Sequence, residues 1–239
     1  MRPMRRFGGG GSGFGLAGVE SMAAKLTIAL VVGSVLALVL KERADLILLL
    51  PQQVIGGLRL WQPFTFGFVA VGPLGIIFGA IILYTMGGNL ESMWGPRRLL
   101  GFVWGGTVIA GVLTTVLMGV VLHTGAVYAG GGTMMTLVWV AYGLSIGRGQ
   151  SNFWGIPVTG NVMAAIGAGF VVLNALTAGW ASQVPEFFAI GLAFAYVRGG
   201  SPRSLWLRLR QWQLQRQMRG RASHLRVMPD ERPHDRYLN

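Results

Sequence analysis

The sequence predicts an all-α integral membrane protein with six transmembrane helices and an in-plane loop between helices 1 and 2. Hydrophobic residues make up 52% of the 239 residues and charged residues only 12%, against roughly a quarter charged in an ordinary soluble domain. Between Leu99 and Gly147 there is no Asp, Glu, Lys or Arg. Such a run is typical of helices in lipid, because the hydrocarbon core penalises each charge by several kcal/mol.

Six apolar segments are the candidates for these helices. The first lies between Lys25 and Lys41, and no small-residue cleavage site follows it, which favours an uncleaved anchor over a signal peptide. Its fifteen uncharged residues would form a helix of about 22 Å, shorter than the roughly 30 Å hydrocarbon core. The later segments are residues 73–90, 99–122, 130–146, 161–178 and 185–197.

The segment between the first two candidate helices predicts the in-plane loop. It is apolar in places but interrupted by Pro51, Gly56, Gly57, Arg59 and Pro63. Proline and glycine break long helices, and short apolar helices with polar interruptions are typical of chain that lies along one leaflet.

The two tails carry most of the net charge of +12. We predict a flexible Gly- and Arg-rich tail over residues 1–23, a membrane domain over 24–198 and a basic tail over 199–239. In the last tail Leu205, Leu209 and Trp212 have the spacing of an amphipathic helix. Seventeen Lys and Arg residues fall on one side of the predicted membrane and three on the other, so the positive-inside rule places both termini in the cytoplasm. Without an endoplasmic-reticulum retention signal, we expect a bacterial inner membrane.

Short motifs occur in a fixed order along residues 46–198. They are Trp61, Thr65, Gly72-Pro73-Leu74-Gly75, Leu90-Glu91, Arg97-Arg98, Trp154-Gly155 and Val184-Pro185-Glu186. Their order and spacing resemble the rhomboid-like superfamily and, within it, the derlins, which are catalytically inactive. The resemblance implies a six-helix rhomboid-like bundle.

Two positions depart from the pattern of these families. Derlins and rhomboid proteases usually carry Trp-Arg where this chain has Trp61-Gln62, so any role of that arginine does not carry over. The Gly-x-x-x-Gly of the last helix is replaced by Ala189 and Ala193. Alanine is still small enough to let two helices approach closely.

The residues of a rhomboid-type active site are absent from their expected positions. Such a protease needs a serine whose hydroxyl is deprotonated by a histidine on another helix. Gly132 or Thr133 stands where the serine would be, and residues 185–197 contain no histidine. His123 lies near the end of the third predicted helix, and His224 and His234 lie in the tail. The sequence therefore predicts a protein without this catalytic activity.

Acidic side chains at the predicted helix ends have structural explanations. We expect Glu91 to pair with Arg97, Arg98 or helix-end amides. Glu186 follows Pro185 at the start of a helix, where a carboxylate complements the macrodipole. The two acids lie at opposite ends of the predicted bundle and cannot share a metal ion. The chain has no cysteine, and glycines 130–132 lack the lysine and Ser/Thr of a phosphate loop, so we predict no metal and no cofactor.

These features predict a function without chemistry. Short first and last helices would thin the bilayer around the protein, and a client helix with polar residues would then tilt or cross at lower cost. The resemblance to derlins implies the same role, namely binding transmembrane segments of client proteins and aiding their handling or extraction. The predicted client-binding residues are Trp61, Gly72, Pro73, Gly132, Thr133, Ala189 and Ala193.

Other partners and other functions stay open at this stage. We expect the basic tail to bind anionic lipid headgroups or a cytosolic factor, and we rank nucleic acid below these although Arg and Trp together also suit RNA. The alternative functions are an intramembrane protease with a non-standard site, a small-solute transporter and a lipid-organising structural protein. A transporter is disfavoured, since no ionisable residue is predicted at the midplane and no inverted repeat is found.

Overall fold

The computed structural model describes residues 20–199 except Thr124, Trp154 and Gly155, together with Arg210. Contacts divide the chain into two units, Met1–Arg198 and Gly199–Asn239, and the fold given below is that of the first. The predicted flexible tail lies outside the described residues except for residues 20–23. The predicted amphipathic helix lies outside them except for Arg210. The domain boundaries at 23/24 and 198/199 therefore stay predictions.

Eight α-helices and one hairpin follow one another in the described residues. The helices are α1 (Met22–Leu40), α2 (Pro51–Gly56), α3 (Gln62–Thr65), α4 (Gly72–Trp94), α5 (Pro96–Thr114), α6 (Gly131–Ile146), α7 (Gly160–Ala178) and α8 (Val184–Arg198). Lys41–Leu46, Phe66–Phe68 and Trp180–Gln183 are 3₁₀ turns, and α5 continues as a π-helix over Thr115–Val121. The strands are β1 (Gln150–Phe153) and β2 (Ile156–Thr159).

The long helices agree with the predicted membrane segments. Four of them are long and apolar enough to cross a membrane, namely α1, α4, α7 and the combined Pro96–Val121 helix. Helix α6 is apolar but has 16 residues, and α8 has 15. The prediction of a helical, multi-pass membrane protein is confirmed at this level, and the count of six spans stays a prediction.

Helix α1 differs from its prediction in length. It begins at Met22 because the amide of Ala24 donates to Ser21 Oγ at 3.1 Å and because Glu91 accepts from the two preceding amides. Lys25 lies exposed in the first turn. With 19 residues the helix is about 28 Å long, so the prediction of a short first helix is wrong.

The connection between α6 and α7 contains the second difference. Strands β1 and β2 pair antiparallel, from Gln150 opposite Thr159 to Phe153 opposite Ile156. The fold is therefore not purely α-helical. A four-residue strand followed by an equally short return carries no clear periodic signal, which explains why the sequence predicts only a loop here.

Helix α6 is the centre of the bundle, and α4, α5, α7 and α8 all pack against it. Eleven of its residues are buried. The crossing with α7 is close at Gly143, where an added Cβ would lie 2.5 Å from the Ala164 nitrogen and 2.6 Å from the Gly160 oxygen. Trp139 donates its indole N–H to the Met163 carbonyl at 3.0 Å. The C-terminal end of α6 is therefore packed closely against α7.

The segment between α1 and α4 is held in place by Gln62. This side chain is fully buried, its Oε1 accepts from the Leu50 amide at 3.0 Å, and its Nε2 donates to the Asp45 carbonyl at 2.8 Å. The site needs one acceptor and one donor. A carboxamide supplies both, whereas a guanidinium only donates. Gln62 is thus suited to the position where the resembled families carry arginine.

Candidate functional site

A cavity of about 600 Å³ lies beside the N-terminal half of α6. Helices α4 and α7 both pack on α6 but scarcely contact each other. Leu74 and Phe78 of α4 and Phe170 of α7 line the cavity and are also exposed. The mouth of the cavity therefore lies between α4 and α7.

The cavity has an apolar end and a polar end. Ile82, Trp139 and Val171, from the middle of their helices, form apolar walls. The polar lining side chains come from the connection between α7 and α8 and its flanks, and from α6: Asn174, Ser182, Gln183, Glu186 and Thr136. Among the described lining residues Glu186 is the one ionisable side chain.

Glu186 is held inside the bundle by a single side-chain hydrogen bond. It is only 8% exposed, and the fully buried Thr133 donates its hydroxyl to Glu186 Oε1 at 3.2 Å. The second oxygen, Oε2, is buried and has no hydrogen-bond partner. In the part of the chain that is described, one other buried side-chain oxygen, Gln53 Oε1, shares this state. An unpartnered buried carboxylate oxygen is costly unless a ligand or water meets it.

The glycines that precede Thr133 leave space for the Phe66 ring and for the Glu186 carboxylate. An added Cβ at Gly130 would lie 2.5 Å from the Phe66 ring, and one at Gly132 would lie 2.9 Å from Glu186 Oε1. Glycine at 132 therefore provides the space that the carboxylate occupies. Packing and a buried side chain, rather than a phosphate, account for the triple glycine.

Tyr128, in the connection between the π-helix and α6, fixes the polar end of the cavity. Its backbone exchanges two 2.9 Å hydrogen bonds with Leu49, and its hydroxyl donates to the Ala181 carbonyl at 2.9 Å. Burial, with a smaller effect of the Glu186 charge, raises the pKa of Tyr128 to about 12. The phenol therefore stays protonated and remains a donor near neutral pH.

The structure adds contacts to the expected role of Glu186 at a helix start. The residue does lie in the first turn of α8, but its side chain contacts Thr133 and lines the cavity. It is therefore more than a partner of the helix dipole. The contact between Thr133 and Glu186 joins positions 53 residues apart, and no local sequence pattern indicates it.

Trp61, Gly72 and Pro73 are not among the residues that line the cavity. Trp61 is half exposed and donates its indole N–H to the Leu46 carbonyl at 2.9 Å. Gly72 has a φ of +71°, which favours glycine, and Pro73 starts the first turn of α4. The residues on either side of this turn, Val71 and Leu74, line the cavity.

Ala189 and Ala193 are placed where no client can reach them. Both are fully buried in the core that α8 shares with α5 and α6. Their predicted role in binding clients stays a prediction, and in this arrangement it would require α8 to leave the bundle. Their small size serves the packing of α8 on its own neighbours.

Glu91 bonds to helix-end amides, one of the partners expected for it. Its two oxygens accept from the amides of Met22 at 3.0 Å and Ala23 at 2.8 Å. Arg97 and Arg98 lie exposed in the first turn of α5. Glu91 thus fastens α1 to the end of α4.

Histidine does not contribute to the cavity. In the described part of the chain the single histidine is His123, which is exposed and absent from the cavity lining. The contact of Thr133 with Glu186 is therefore the nearest thing to a nucleophile and base at this site. The described residues also contain no group of three or more His, Cys, Asp or Glu side chains that could hold a metal ion.

Residues 24–175 match the model of a family described as "Eukaryotic integral membrane protein (DUF1751)". The chain belongs to this family. The match runs from α1 into α7, so it includes Thr133 and stops before Glu186. Comparisons with curated proteins and with solved structures gave no match.

Membership in this family settles one prediction and corrects another. An integral membrane protein is confirmed, and the bacterial inner membrane is wrong because the family is described as eukaryotic. The description names neither rhomboids nor derlins, so that finer resemblance remains a hypothesis.

Proposed function

We propose that this family member is a non-catalytic, rhomboid-like membrane protein that binds transmembrane segments of client proteins. The observation that carries the proposal is the cavity whose mouth lies between α4 and α7, beside Gly132 and Thr133. These residues stand where a rhomboid protease would have its serine. The order of the long helices, with the short helices α2 and α3 between α1 and α4, also matches the arrangement that the resemblance implies.

The client would meet apolar side chains at the mouth and polar ones behind it. Leu74, Phe78 and Phe170 are exposed there, and Thr136 and Asn174 line the interior. A polar residue on a client helix costs several kcal/mol in hydrocarbon. Turning that residue into the cavity would lower this cost. Such a site would select helices that are poorly suited to lipid.

Local thinning of the bilayer would act in the same direction. Helices α6 and α8 have 16 and 15 residues, or about 24 and 22 Å, against the roughly 30 Å of the hydrocarbon core. Because α1 is longer than expected, this part of the proposal depends on α8, whose Phe194 and Tyr196 are exposed to the surroundings.

The second candidate is an intramembrane protease that uses Thr133 and Glu186. Their 3.2 Å contact is the observation in its favour. A carboxylate is, however, a far weaker base than a threonine alkoxide, and Thr133 is fully buried within its helix. We therefore place the non-catalytic function first.

Photo-crosslinking at the mouth of the cavity tests the proposal. A photoreactive residue replaces Leu74 in intact membranes, and the matched control replaces Leu38 of α1. The two leucines are 69% and 61% exposed and lie at the adjoining ends of α1 and α4. We expect Leu74 to capture full-length foreign membrane proteins and Leu38 to capture mainly lipid.

Each other outcome of this experiment removes the proposal. Client fragments cut within the membrane, and lost in Thr133→Val, would establish the protease instead. Equal capture of lipid at both positions would leave only a lipid-organising role.

A further inference from the structure

The cavity offers a ligand site that does not depend on client binding. Its only charged lining group in the described chain, Glu186, is more than nine-tenths buried, and its Oε2 has no partner. A buried carboxylate is stabilised by a hydrogen-bonding cation more than by any neutral group. The polar end of the cavity is therefore suited to a positively charged head.

The remaining walls of the cavity indicate the chemistry of the rest of the ligand. From Glu186 the cavity continues past Met135 and Trp139 of α6 to Ile82 of α4 and Val171 of α7. An apolar chain attached to the charged head would lie along these walls. Cavities of about 300–1,000 Å³ are typical of small-molecule sites, and this one measures about 600 Å³.

The size of the cavity argues against a whole peptide helix inside it. A helix about 10 Å across occupies roughly 400 Å³ per turn, so the cavity has room for little more than one turn. A client helix can offer it side chains only. A single aliphatic chain, in contrast, is much narrower than a helix.

The lining also argues against a phosphate in the head. Lys, Arg and His are absent from the described lining residues, so a phosphate would enter beside a carboxylate without a cation to balance it. A plain ammonium group, in contrast, is attracted by the carboxylate.

We infer that the cavity binds a single-chain amphiphile whose head is a protonated amine, with the amine donating to the carboxylate of Glu186 and the chain lying between α4, α6 and α7. Thr133 orients the carboxylate through Oε1, and the buried Oε2 has no hydrogen-bond partner. Gly75, which lines the cavity and has open space around its Cα, keeps the route to the mouth clear.

The test uses the full chain in phosphatidylcholine nanodiscs, which contain no primary amine. The probe is dodecylamine with a photoreactive group at the end of its chain, and labelled residues are identified by mass spectrometry. Dodecylamine, dodecanol and lysophosphatidylethanolamine compete at equal mole fractions in the lipid. We expect labels on α4, α6 and α7 beside the cavity, and dodecylamine should compete about tenfold or more better than the other two.

Two variants and a control assign the effect. Glu186→Gln should remove the preference for the amine over the alcohol, while Glu20→Gln, a change at an exposed carboxylate outside the cavity, should keep it. Gly75→Leu, which meets no neighbour at its Cβ, should weaken labelling by the probe and stays informative if Glu186→Gln fails to fold.

Equal competition by amine and alcohol in the unchanged protein would overturn the inference, as would labels outside the cavity or a preference that survives in Glu186→Gln. A transmembrane peptide that labels the same interior residues and is not displaced by dodecylamine would overturn it too.

Discussion

Glu91 and Glu186 are carboxylates at the two ends of the bundle, and they differ in what their oxygens do. Both oxygens of Glu91 accept amides at the start of α1. Glu186, which lines the cavity, uses one oxygen for Thr133 and leaves the other buried without a hydrogen-bond partner. The Glu91 end is closed by hydrogen bonds and by the glycine crossing of α6 and α7. The Glu186 end is open. The contrast teaches that a helix-end acid becomes a functional candidate when its neighbours leave an oxygen unused.

The largest expected effect comes from adding one methyl group at the closed end. In Gly143→Ala the new Cβ would meet backbone atoms of α7 at 2.5 and 2.6 Å, and backbone cannot turn away as a side chain can. We expect the free energy of unfolding to fall by about 3 kcal/mol. Thermal melting in one detergent measures this. The control is Gly169→Ala on α7, which meets nothing within 4 Å. Equal melting of the two variants would contradict the close α6–α7 contact.

Replacing Gln62 tests whether the hydrogen bonds of its side chain, which lie at the open end but outside the cavity, stabilise the fold. Gln62→Leu keeps the volume but leaves the Leu50 amide and the Asp45 carbonyl without their partner. The expected loss in the free energy of unfolding is about 2 kcal/mol. Gln52→Leu is the control, because its amide lies exposed beside the His123 carbonyl. If both variants melt at the same temperature, Gln62 does not stabilise the segment between α1 and α4.

Glu91→Gln weakens the closed end by a smaller amount. The amide has one acceptor oxygen for two helix-end amides, and it loses the favourable charge at the start of α1. We expect a loss of about 1.5 kcal/mol in the free energy of unfolding. Thermal melting at low and high salt checks it, because the charge contribution should shrink with salt. A variant as stable as the unchanged protein would mean that Glu91 is dispensable for attaching α1.

Glu186→Gln should have the smallest effect on stability. Its amide oxygen can still accept from Thr133, and a buried charge with an unpartnered oxygen is removed. We expect the free energy of unfolding to change by no more than about 0.5 kcal/mol. The same melting experiment compares it directly with Glu91→Gln. A loss as large as that of Glu91→Gln would make both acids structural and end the contrast between them.

Much of the helix layout was predictable from the sequence. Apolar runs without charge mark their helices clearly, because hydrocarbon excludes charge. The sequence underestimates the length of the first helix because Lys25 resembles its boundary, although an exposed lysine can extend from a helix that continues past it. The hairpin after α6 was missed because its strands are too short to show alternation.

The site was predictable only in part. The sequence singles out Gly132 and Thr133 because their position in the resembled families marks them. Gly132 lines the cavity and Thr133 contacts Glu186, and their role in binding clients stays a prediction. Glu186 was taken for a helix-end residue because Pro-Glu at a helix start has that explanation on its own. What changes its role is Gly132, 54 positions away, whose missing Cβ gives the carboxylate room. Ala189 and Ala193 show the reverse, since a small-residue spacing is the same for an outward face and for an inward one.

The contact between Thr133 and Glu186 also has a consequence for biogenesis. Glu91 can cap α1 as soon as α4 has been synthesised, whereas Thr133 must wait until the chain has been extended by the 53 further residues that separate it from Glu186. Tyr128 likewise waits for the carbonyl of Ala181. Chains emerge from the ribosome N-terminus first, so the cavity acquires its charged wall only when α8 has been synthesised. A nascent chain stalled before α8 would have its closed end assembled and no binding site.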